Sequence, residues 1–280
     1  MAQSGRYELK YVIDEERAVA LADYLRQYLR PSVHNGKGPV RGHPVISLYM
    51  DSPDYLFFRQ AYCGIKNRMK LRIRFYNEHW KHPAFLEIKR RVSDVIVKAR
   101  AMITREGVMH FLNGGWPNPS HWPSPGPMIH GKRRLDVYFK FWQLCNAVQA
   151  KPMIYVSYLR EIHEAPDDDE LRVTFDRHVS ATPYDGPGML DEGPGKMLAP
   201  KRGIPPPPDR PLYYLPLDGV ILELKYDTQA PFWMYDMVRI FNLERRYMCK
   251  YCACIDGMGL QWGKYPLAEE ELALMLYGYD

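Results

Sequence analysis

The sequence predicts an α+β fold: an eight-stranded antiparallel β-barrel that forms a tunnel with a cationic lumen, with helices packed outside. Three observations lead to this prediction. Eight segments alternate apolar and polar residues with the period of two that is typical of a β-strand. The polar positions of nearly all these segments carry Lys or Arg, with Glu in between. Several predicted helices have apolar stripes that need a surface to pack on, and the apolar strand faces supply it.

The first half of the chain begins with a strand and a helix. Residues 6–13, "RYELKYVI", alternate as a strand, and Asp14 caps the helix that follows, which has acidic residues in its first turn. A second strand lies at "VISLYMDS", before a short turn or helix that carries Arg59. Three further strands are predicted at Met69–Asn77, Phe85–Val92 and Val95–Ile103. The last two strands are close enough in sequence to form a hairpin.

The second half continues the same alternation. A helix around Thr104–Leu112, a loop rich in Pro and Gly, and a helix in "RLDVYFKFWQLCNAVQA" precede three more strands, which lie at Met153–Glu164, Leu171–Val179 and Gly219–Asp227. Residues 183–212 include "IPPPP" and are predicted to be a flexible insertion. A helix at Pro231–Glu244 and a terminal amphipathic helix at about 266–277 complete the chain. We expect one domain over residues 1–280.

Composition sets limits on the kind of protein. Of 280 residues, 25% are charged and 46% are hydrophobic, which is typical of a globular protein. The net charge of +5 is compatible with an anionic ligand but does not identify one. No run of about 18 apolar residues occurs, and the N-terminus lacks the apolar segment of a secretory signal. Five cysteines, unevenly spread, indicate a reduced protein of the cytoplasm rather than a disulfide framework.

The charged residues of the predicted strands lie two apart, so they share one face. In "KLRIRFY" Arg72 and Arg74 oppose three apolar residues, and in "ILELKYD" Glu223 and Lys225 do the same. An open sheet with one face in water explains such alternation in a single strand. Here, however, the apolar faces are needed for the helices, so the charged faces turn inward. About eight strands can enclose a ligand.

A lumen with this many cations is costly without a ligand, because like charges repel and each loses hydration. We therefore expect a polyanion inside the barrel. The interleaved glutamates suggest a divalent metal that is shared with the anion, since hard cations bind carboxylate oxygens.

The ordered motifs "YELKY", "KLRIRFY", "FLEIKRR", "KAR", "YLRE", "LRVTFD", "ILELKYD" and "CKYC" resemble those of the VTC domain. This is the catalytic domain of the vacuolar transporter chaperone polyphosphate polymerases, here in a bacterial stand-alone form, within the triphosphate tunnel metalloenzyme (CYTH-like) superfamily. The resemblance spans about residues 5–257. It implies the eight-stranded antiparallel tunnel fold. It also implies transfer of the terminal phosphoryl group of ATP to a growing polyphosphate chain, with Mn²⁺ or Mg²⁺ as cofactor.

The resemblance also implies site residues. Catalytic roles would fall to Arg72, Arg74, Lys89, Arg160 and Glu223. The phosphate path for ATP and polyphosphate would be lined by Lys10, Arg59, Arg72, Arg74, Lys89, Lys98, Arg100, Tyr158, Arg160, Arg172, Lys225 and Lys250. Glu223 would be the principal metal carboxylate, supported by Glu8 and Glu87. Phosphoryl transfer depends on positioning and charge neutralisation, so no protein nucleophile is expected.

The sequence departs from the family pattern near its last motif. Cys249 stands where a Ser usually precedes the Lys-Tyr pair, and Tyr247 stands where a basic residue is common. Arg246 would lie on the opposite face if this segment is extended. The cluster "CKYCAC" lacks a second Cys or His pair at suitable spacing for zinc, so we expect buried, reduced thiols.

Two alternative functions stay open. A tunnel hydrolase would cleave inorganic triphosphate or a triphosphorylated metabolite, but such enzymes begin with ExExK, and Arg6 replaces the first Glu here. A non-catalytic subunit would bind polyphosphate or a nucleotide for a membrane protein partner, with which proteins of this type often associate. Nucleic acid is not an expected partner, because the basic run "HGKRR" is typical of a solvated helix start.

Overall fold

The computed structural model of the protein describes residues 7–36, 42–76, 82–92, 95–123, 131–168, 171–184, 213–214, 219–227, 229–246 and 248–258. Of the predicted insertion over 183–212, the structure describes residues 183–184. The predicted terminal helix at about 266–277 lies outside the described residues.

Ten described strands form one antiparallel sheet. They are β1 (Tyr7–Ile13), β2 (Arg30–Pro31), β3 (His43–Asp51), β4 (Arg68–Phe75), β5 (Ala84–Val92), β6 (Val95–Ile103), β7 (Lys151–Glu164), β8 (Arg172–Pro183), β9 (Tyr213–Tyr214) and β10 (Val220–Tyr226). Eight of them run in the order β1-β10-β8-β7-β3-β4-β5-β6, while β2 pairs with β7 and β9 with β8. The predicted eight-stranded antiparallel sheet is confirmed, and the two-residue strands β2 and β9 are additions to it.

The sheet curls into a half-barrel rather than closing through a ladder. Within the described residues, the two edge strands β1 and β6 are not hydrogen-bonded to each other. Side chains bridge the gap instead: Glu8 of β1 contacts Lys89 of β5 at 3.0 Å. The concave face is therefore the lumen that the sequence predicts.

Six helices lie around the sheet in the described part of the chain. They are α1 (Glu15–Leu25), α2 (Leu56–Tyr62), α3 (Arg105–Leu112), α4 (Gly131–Ala147), α5 (Phe232–Ile240) and α6 (Lys250–Gly257), with a short 3₁₀ helix at Pro119–His121. None of the described helices combines the length and the apolar character needed to span a bilayer.

Four helices cover the convex face of the sheet, as predicted. Asp14 caps α1 by accepting a hydrogen bond from the Arg17 amide at 2.7 Å, and α1 and α5 pack on β1, β8 and β10. Helices α3 and α4 cover β3 to β6, where Phe141 of α4 packs in the same core as Leu86 of β5. Burial of these apolar strand faces leaves the charged faces to point inward.

The remaining two helices, α2 and α6, pack at one end of the sheet. Tyr251 and Ile255 of α6 and Phe58 of α2 share a core with Val45 and Ile221, which point to the concave side of the sheet. The segment after residue 249 is thus a helix rather than a continued extended chain. At this end of the half-barrel the concave face carries apolar side chains, and α6 and α2 pack on them. These two helices therefore close this end.

One buried carboxylate joins the two closing helices to the sheet. Asp51 ends β3 and accepts hydrogen bonds from the amides of Phe57 and Phe58 at the start of α2. It also accepts a hydrogen bond from the Tyr251 hydroxyl of α6 at 2.7 Å. Burial raises the pKa of Asp51 to about 6, although these hydrogen bonds oppose the rise.

Candidate functional site

The concave face of the sheet lines a cavity of about 920 Å³. Strand register explains its lining, because Lys10 lies opposite Glu223 and Arg72 lies opposite Glu87, so that alternate residues of neighbouring strands share this face. Two carboxylates line it in the described part of the chain, Glu8 and Glu223. Eleven described lysines and arginines line it: Lys10, Lys70, Arg72, Arg74, Lys89, Lys98, Arg100, Arg160, Arg172, Lys225 and Lys250. The predicted cationic lumen is confirmed.

Glu223 stands at the centre of a group of cations. Its Oε1 accepts a hydrogen bond from Lys250 Nζ at 2.8 Å, and its Oε2 contacts Lys225 Nζ at 2.8 Å and Arg160 Nη2 at 3.1 Å. Lys10 Nζ lies 3.5 Å from Oε1. Burial would raise the pKa of Glu223, but these four cations hold it well below its usual range. Glu223 is therefore ionised at neutral pH.

Asp176 fixes two of the same cations from behind. Its carboxylate takes a bidentate pair of hydrogen bonds from Arg160, both at 2.6 Å, and lies 2.6 Å from Lys250 Nζ. The side chain is fully buried on β8. Asp176 lies four residues after Arg172, so alternation along the strand puts both on one face, although Asp176 was not among the predicted site residues. The register that brings it opposite Arg160 could not be predicted, because a bulge interrupts β7 at Ser157–Leu159.

Glu87 has the corresponding role on the other side of the lumen. Its oxygens contact Arg72 at 2.7 Å, Lys98 at 2.9 Å, and Arg74 and Arg100 at 3.6 Å each. Glu87 is fully buried beneath these groups and does not line the cavity. This position suits a counter-ion that orients cations, and it gives no support to the prediction that Glu87 helps to hold a metal.

The pair of Glu8 and Lys89 lies where the two edges of the sheet approach each other. Lys89 Nζ donates to both carboxylate oxygens of Glu8, at 3.0 and 3.1 Å. Burial lowers the pKa of Lys89 to about 7. The negative charge of Glu8 opposes this shift, whereas the positive charges of Lys10 and Arg72 add to it. An anion that binds in the cavity would favour the charged form of Lys89.

Tyr158 lies between the cations that contact Glu223 and those that contact Glu87. Its ring contacts the guanidinium of Arg160 at 5.2 Å and the ammonium of Lys250 at 5.0 Å, while its hydroxyl accepts a hydrogen bond from Arg74 at 3.5 Å. Arg172 lies towards the opening, where it contacts Glu164 at 3.3 Å and is about one-third exposed. Both residues line the cavity, where the sequence predicted a phosphate path.

Arg59 does not belong to this constellation. It lies on α2 and is directed at Asp54, with which it forms an ion pair. It is absent from the described cavity lining because α2 packs at the closed end of the sheet. Arg59 therefore lies outside the described cavity lining, and its role in the phosphate path stays a prediction.

Twelve of the described cavity-lining residues were not predicted as site residues, and four of them bear on the site chemistry. Lys70 shares the strand face of Arg72 and Arg74, so alternation alone could have identified it. Tyr49 hydrogen-bonds Arg72 through its hydroxyl at 3.2 Å. His43 and Cys249 enter the lining because of strand register and the position of α6, which carry no signal in the sequence.

The implied divalent metal finds carboxylates but no complete ligand set. In the described residues, no group of three or more His, Cys, Asp or Glu side chains could hold a metal ion. Glu223 and Asp176 are close to each other, since both contact Lys250 Nζ. Magnesium-like ions are commonly bound by one or two carboxylates together with substrate phosphates. The residues therefore fit a metal that binds with a phosphate ligand.

Comparison with known proteins assigns the family. The family model of the VTC domain matches residues 5–258. The chain belongs to the VTC domain family. A search of curated proteins finds no match to this VTC domain.

Among solved structures, a Bacillus halodurans protein provisionally assigned as an adenylate cyclase is similar, with 14% sequence identity over 86% of this chain and 94% of that chain. Its TM-score of 0.42 is too low to support a conclusion about this VTC domain.

Proposed function

We propose that this VTC domain is an ATP-dependent polyphosphate polymerase, which transfers the terminal phosphoryl group of ATP to the end of a polyphosphate chain. The observation that carries the proposal is the cavity lined by eleven described cations, four of which surround Glu223. Donor and acceptor are both linear phosphate chains, and a wall of this charge can bind them in one channel. The reaction requires positioning and charge neutralisation, which such a wall supplies.

The cations are held in place before any ligand binds. Asp176 orients Arg160 and Lys250, and Glu87 orients Arg72 and Lys98. Preorganised cations stabilise the charge that develops on the transferred phosphoryl group without the cost of rearranging water. The arginines suit bidentate contacts with phosphate oxygens, and the lysines act as point charges.

A divalent metal fits the proposed site through Glu223, which lines the cavity. When bound, it would neutralise phosphate oxygens and help to align donor and acceptor. The lysines that now contact Glu223 would then contact phosphate oxygens in its place.

The carboxylates of the cavity favour phosphoryl transfer over hydrolysis. A hydrolase needs a base that can accept a proton from the attacking water. Five carboxylates that the described strands direct to the concave side each contact at least one Lys or Arg: Glu8, Glu87, Glu164, Asp176 and Glu223. The terminal phosphate of a polyphosphate chain already bears negative charge and can attack without such a base.

The test is a polymerisation assay with a single carboxylate variant. Purified protein is incubated with ATP, Mn²⁺ or Mg²⁺ and a short polyphosphate primer, and the products are resolved on a gel stained for polyphosphate. We expect a ladder of long chains from the wild type and a loss of at least a hundredfold in Glu223→Gln. Glu244→Gln, an exposed site outside the cavity, is the matched control and should retain activity.

Other outcomes distinguish the alternative functions. Release of orthophosphate without a ladder would assign a tunnel hydrolase. Tight polyphosphate binding with neither product would assign a binding subunit that needs a partner for any activity. Thermal unfolding of both variants shows whether a loss of activity reflects a loss of fold.

A further inference from the structure

A pair of cysteines stands at the start of α6. Cys249 is the N-cap residue of this eight-residue helix, and its Sγ accepts a hydrogen bond from the Cys252 amide at 3.3 Å. The Cys252 thiol contacts the Phe58 carbonyl oxygen at 4.0 Å. A cysteine at a helix N-terminus with a second cysteine three residues later is the arrangement that favours reactive thiolates, because the helix dipole stabilises the charge.

A lysine from another element contacts the first of these cysteines. Lys70 of β4 places its Nζ 2.9 Å from Cys249 Sγ. Burial would raise the pKa of Cys249, but the hydrogen bond from Cys252 and the charge of Lys70 hold it well below its usual range. The hydrogen bond to Cys249 and burial raise the pKa of Cys252 instead. One thiol is thus the nucleophile, and its neighbour keeps its proton.

The cavity gives small molecules a path to Cys249, whereas Cys252 lies behind it and lines neither described cavity. Cys249 lines the 920 Å³ cavity and also an adjoining cavity of about 340 Å³, which shares Lys70 with it. The other cysteines differ in their surroundings. Cys63 is exposed, whereas Cys145 and Cys254 are buried and line neither cavity among the described residues.

We propose that Cys249 and Cys252 are a redox-active dithiol that a hydroperoxide oxidises to a disulfide. The Cys249 thiolate attacks one oxygen of hydrogen peroxide, which breaks the O–O bond, forms a sulfenic acid, and releases hydroxide that takes up a proton to become water. The Cys252 sulfur then attacks the Cys249 sulfur and releases the second water. Two thiols are oxidised, and the two peroxide oxygens are reduced.

The disulfide would change the lumen beside the phosphate path. Bond formation removes the negative sulfur from Lys70, whose ammonium then adds its full charge to the cavity. The disulfide would also close a short ring of the chain that includes Lys250, the residue that contacts Glu223 and Asp176. This inference concerns thiol chemistry and does not depend on the proposed polymerase activity.

The test measures thiols rather than polyphosphate. Reduced full-length protein is treated with stoichiometric hydrogen peroxide, quenched by alkylation and digested for mass spectrometry. We expect a linked Cys249–Cys252 peptide that is about 2 Da lighter than the reduced form, and recovery of both thiols with dithiothreitol. In Cys252→Ser, dimedone should trap a sulfenic acid on Cys249, whereas Cys254→Ser, the matched control, should behave as the wild type does.

A lysine variant tests the origin of the reactivity. Lys70→Met should slow disulfide formation about tenfold at neutral pH, because the thiolate loses its neighbouring charge. Lys98→Met removes a cavity lysine that does not touch Cys249 and should change the rate less than twofold. Oxidation of Cys63 with Cys249 and Cys252 left reduced would overturn the proposal. So would the absence of a trapped sulfenic acid in folded Cys252→Ser.

Discussion

At the scale of single residues, the cavity is organised by carboxylates that lie behind its cations. Asp176 and Glu87 are fully buried, and each fixes two or more cationic side chains. Buried charges of this kind are tolerated when they are paired and hydrogen-bonded. Their partners keep one geometry, so each cation of the cavity wall has a defined position.

Arg160 is the residue at which geometry should matter most. It donates two hydrogen bonds to Asp176 and one to Glu223. Arg160→Lys keeps the charge but cannot make this planar set of contacts, so we expect kcat/KM for ATP to fall about a hundredfold. Arg172→Lys, at the opening, should lose less than tenfold. Equal losses in both variants would show that charge alone is required of Arg160.

His43 predicts a pH dependence of stability. Burial and the charges of Arg160 and His34 lower the pKa of His43 to about 4. The pKa of a histidine in the unfolded chain is about 6.5. At a pH between about 4 and 6.5, folding therefore releases a proton from His43, and the free energy of unfolding decreases as the pH falls through this range. In urea unfolding, the wild type should lose roughly 1–2 kcal/mol more than His43→Gln between pH 7 and 4.5. From pH 8 to 9, where His43 is uncharged in both states, the difference between the two proteins should stay constant.

At the scale of secondary-structure elements, the strands were predictable and the closed end was not. All eight long strands follow from alternation in sequence, because the pleat forces alternate side chains to opposite faces. The position of α6 follows from long-range packing of Tyr251 and Ile255 against Val45 and Ile221. Its segment is too short for a helical period to be recognised.

The hydrogen bond from Tyr251 of α6 to Asp51 should stabilise the end of the half-barrel that α2 and α6 close. Tyr251→Phe removes a buried donor at 2.7 Å from the Asp51 carboxylate, which should cost about 1–3 kcal/mol in urea unfolding. Loss of this donor raises the pKa of Asp51 further above 6. A raised folded-state pKa means that stability is lost as the pH rises, so the deficit should be larger at pH 8 than at pH 5. Tyr235→Phe, on the exposed side of α5, should change neither value.

At the scale of the whole molecule, the charge is concentrated rather than large. The net charge of the chain is only +5, yet eleven cations of the described residues face one cavity. The sequence indicated this concentration because the charges lie two apart on each strand. It did not indicate which carboxylates neutralise which cations, since that depends on register and on the bulge in β7.

Concentrated charge predicts stabilisation by polyanions. Tripolyphosphate at about 100 times its Kd should stabilise the fold by about 2.7 kcal/mol, which corresponds to a rise in Tm of roughly 5–10 °C. The rise should shrink in 0.5 M NaCl, because salt screens the attraction. Sulfate at the same ionic strength is the control and should give a much smaller shift. Equal shifts for both anions would contradict a site built for a chain of phosphates.

The gap between β1 and β6 has a consequence for the mechanics of the protein. Because the Glu8–Lys89 ion pair spans the gap where the described edges share no backbone ladder, the half-barrel can widen there without losing strand pairing. A polymer much longer than the protein could then enter the lumen laterally through this gap, without being threaded in from one end.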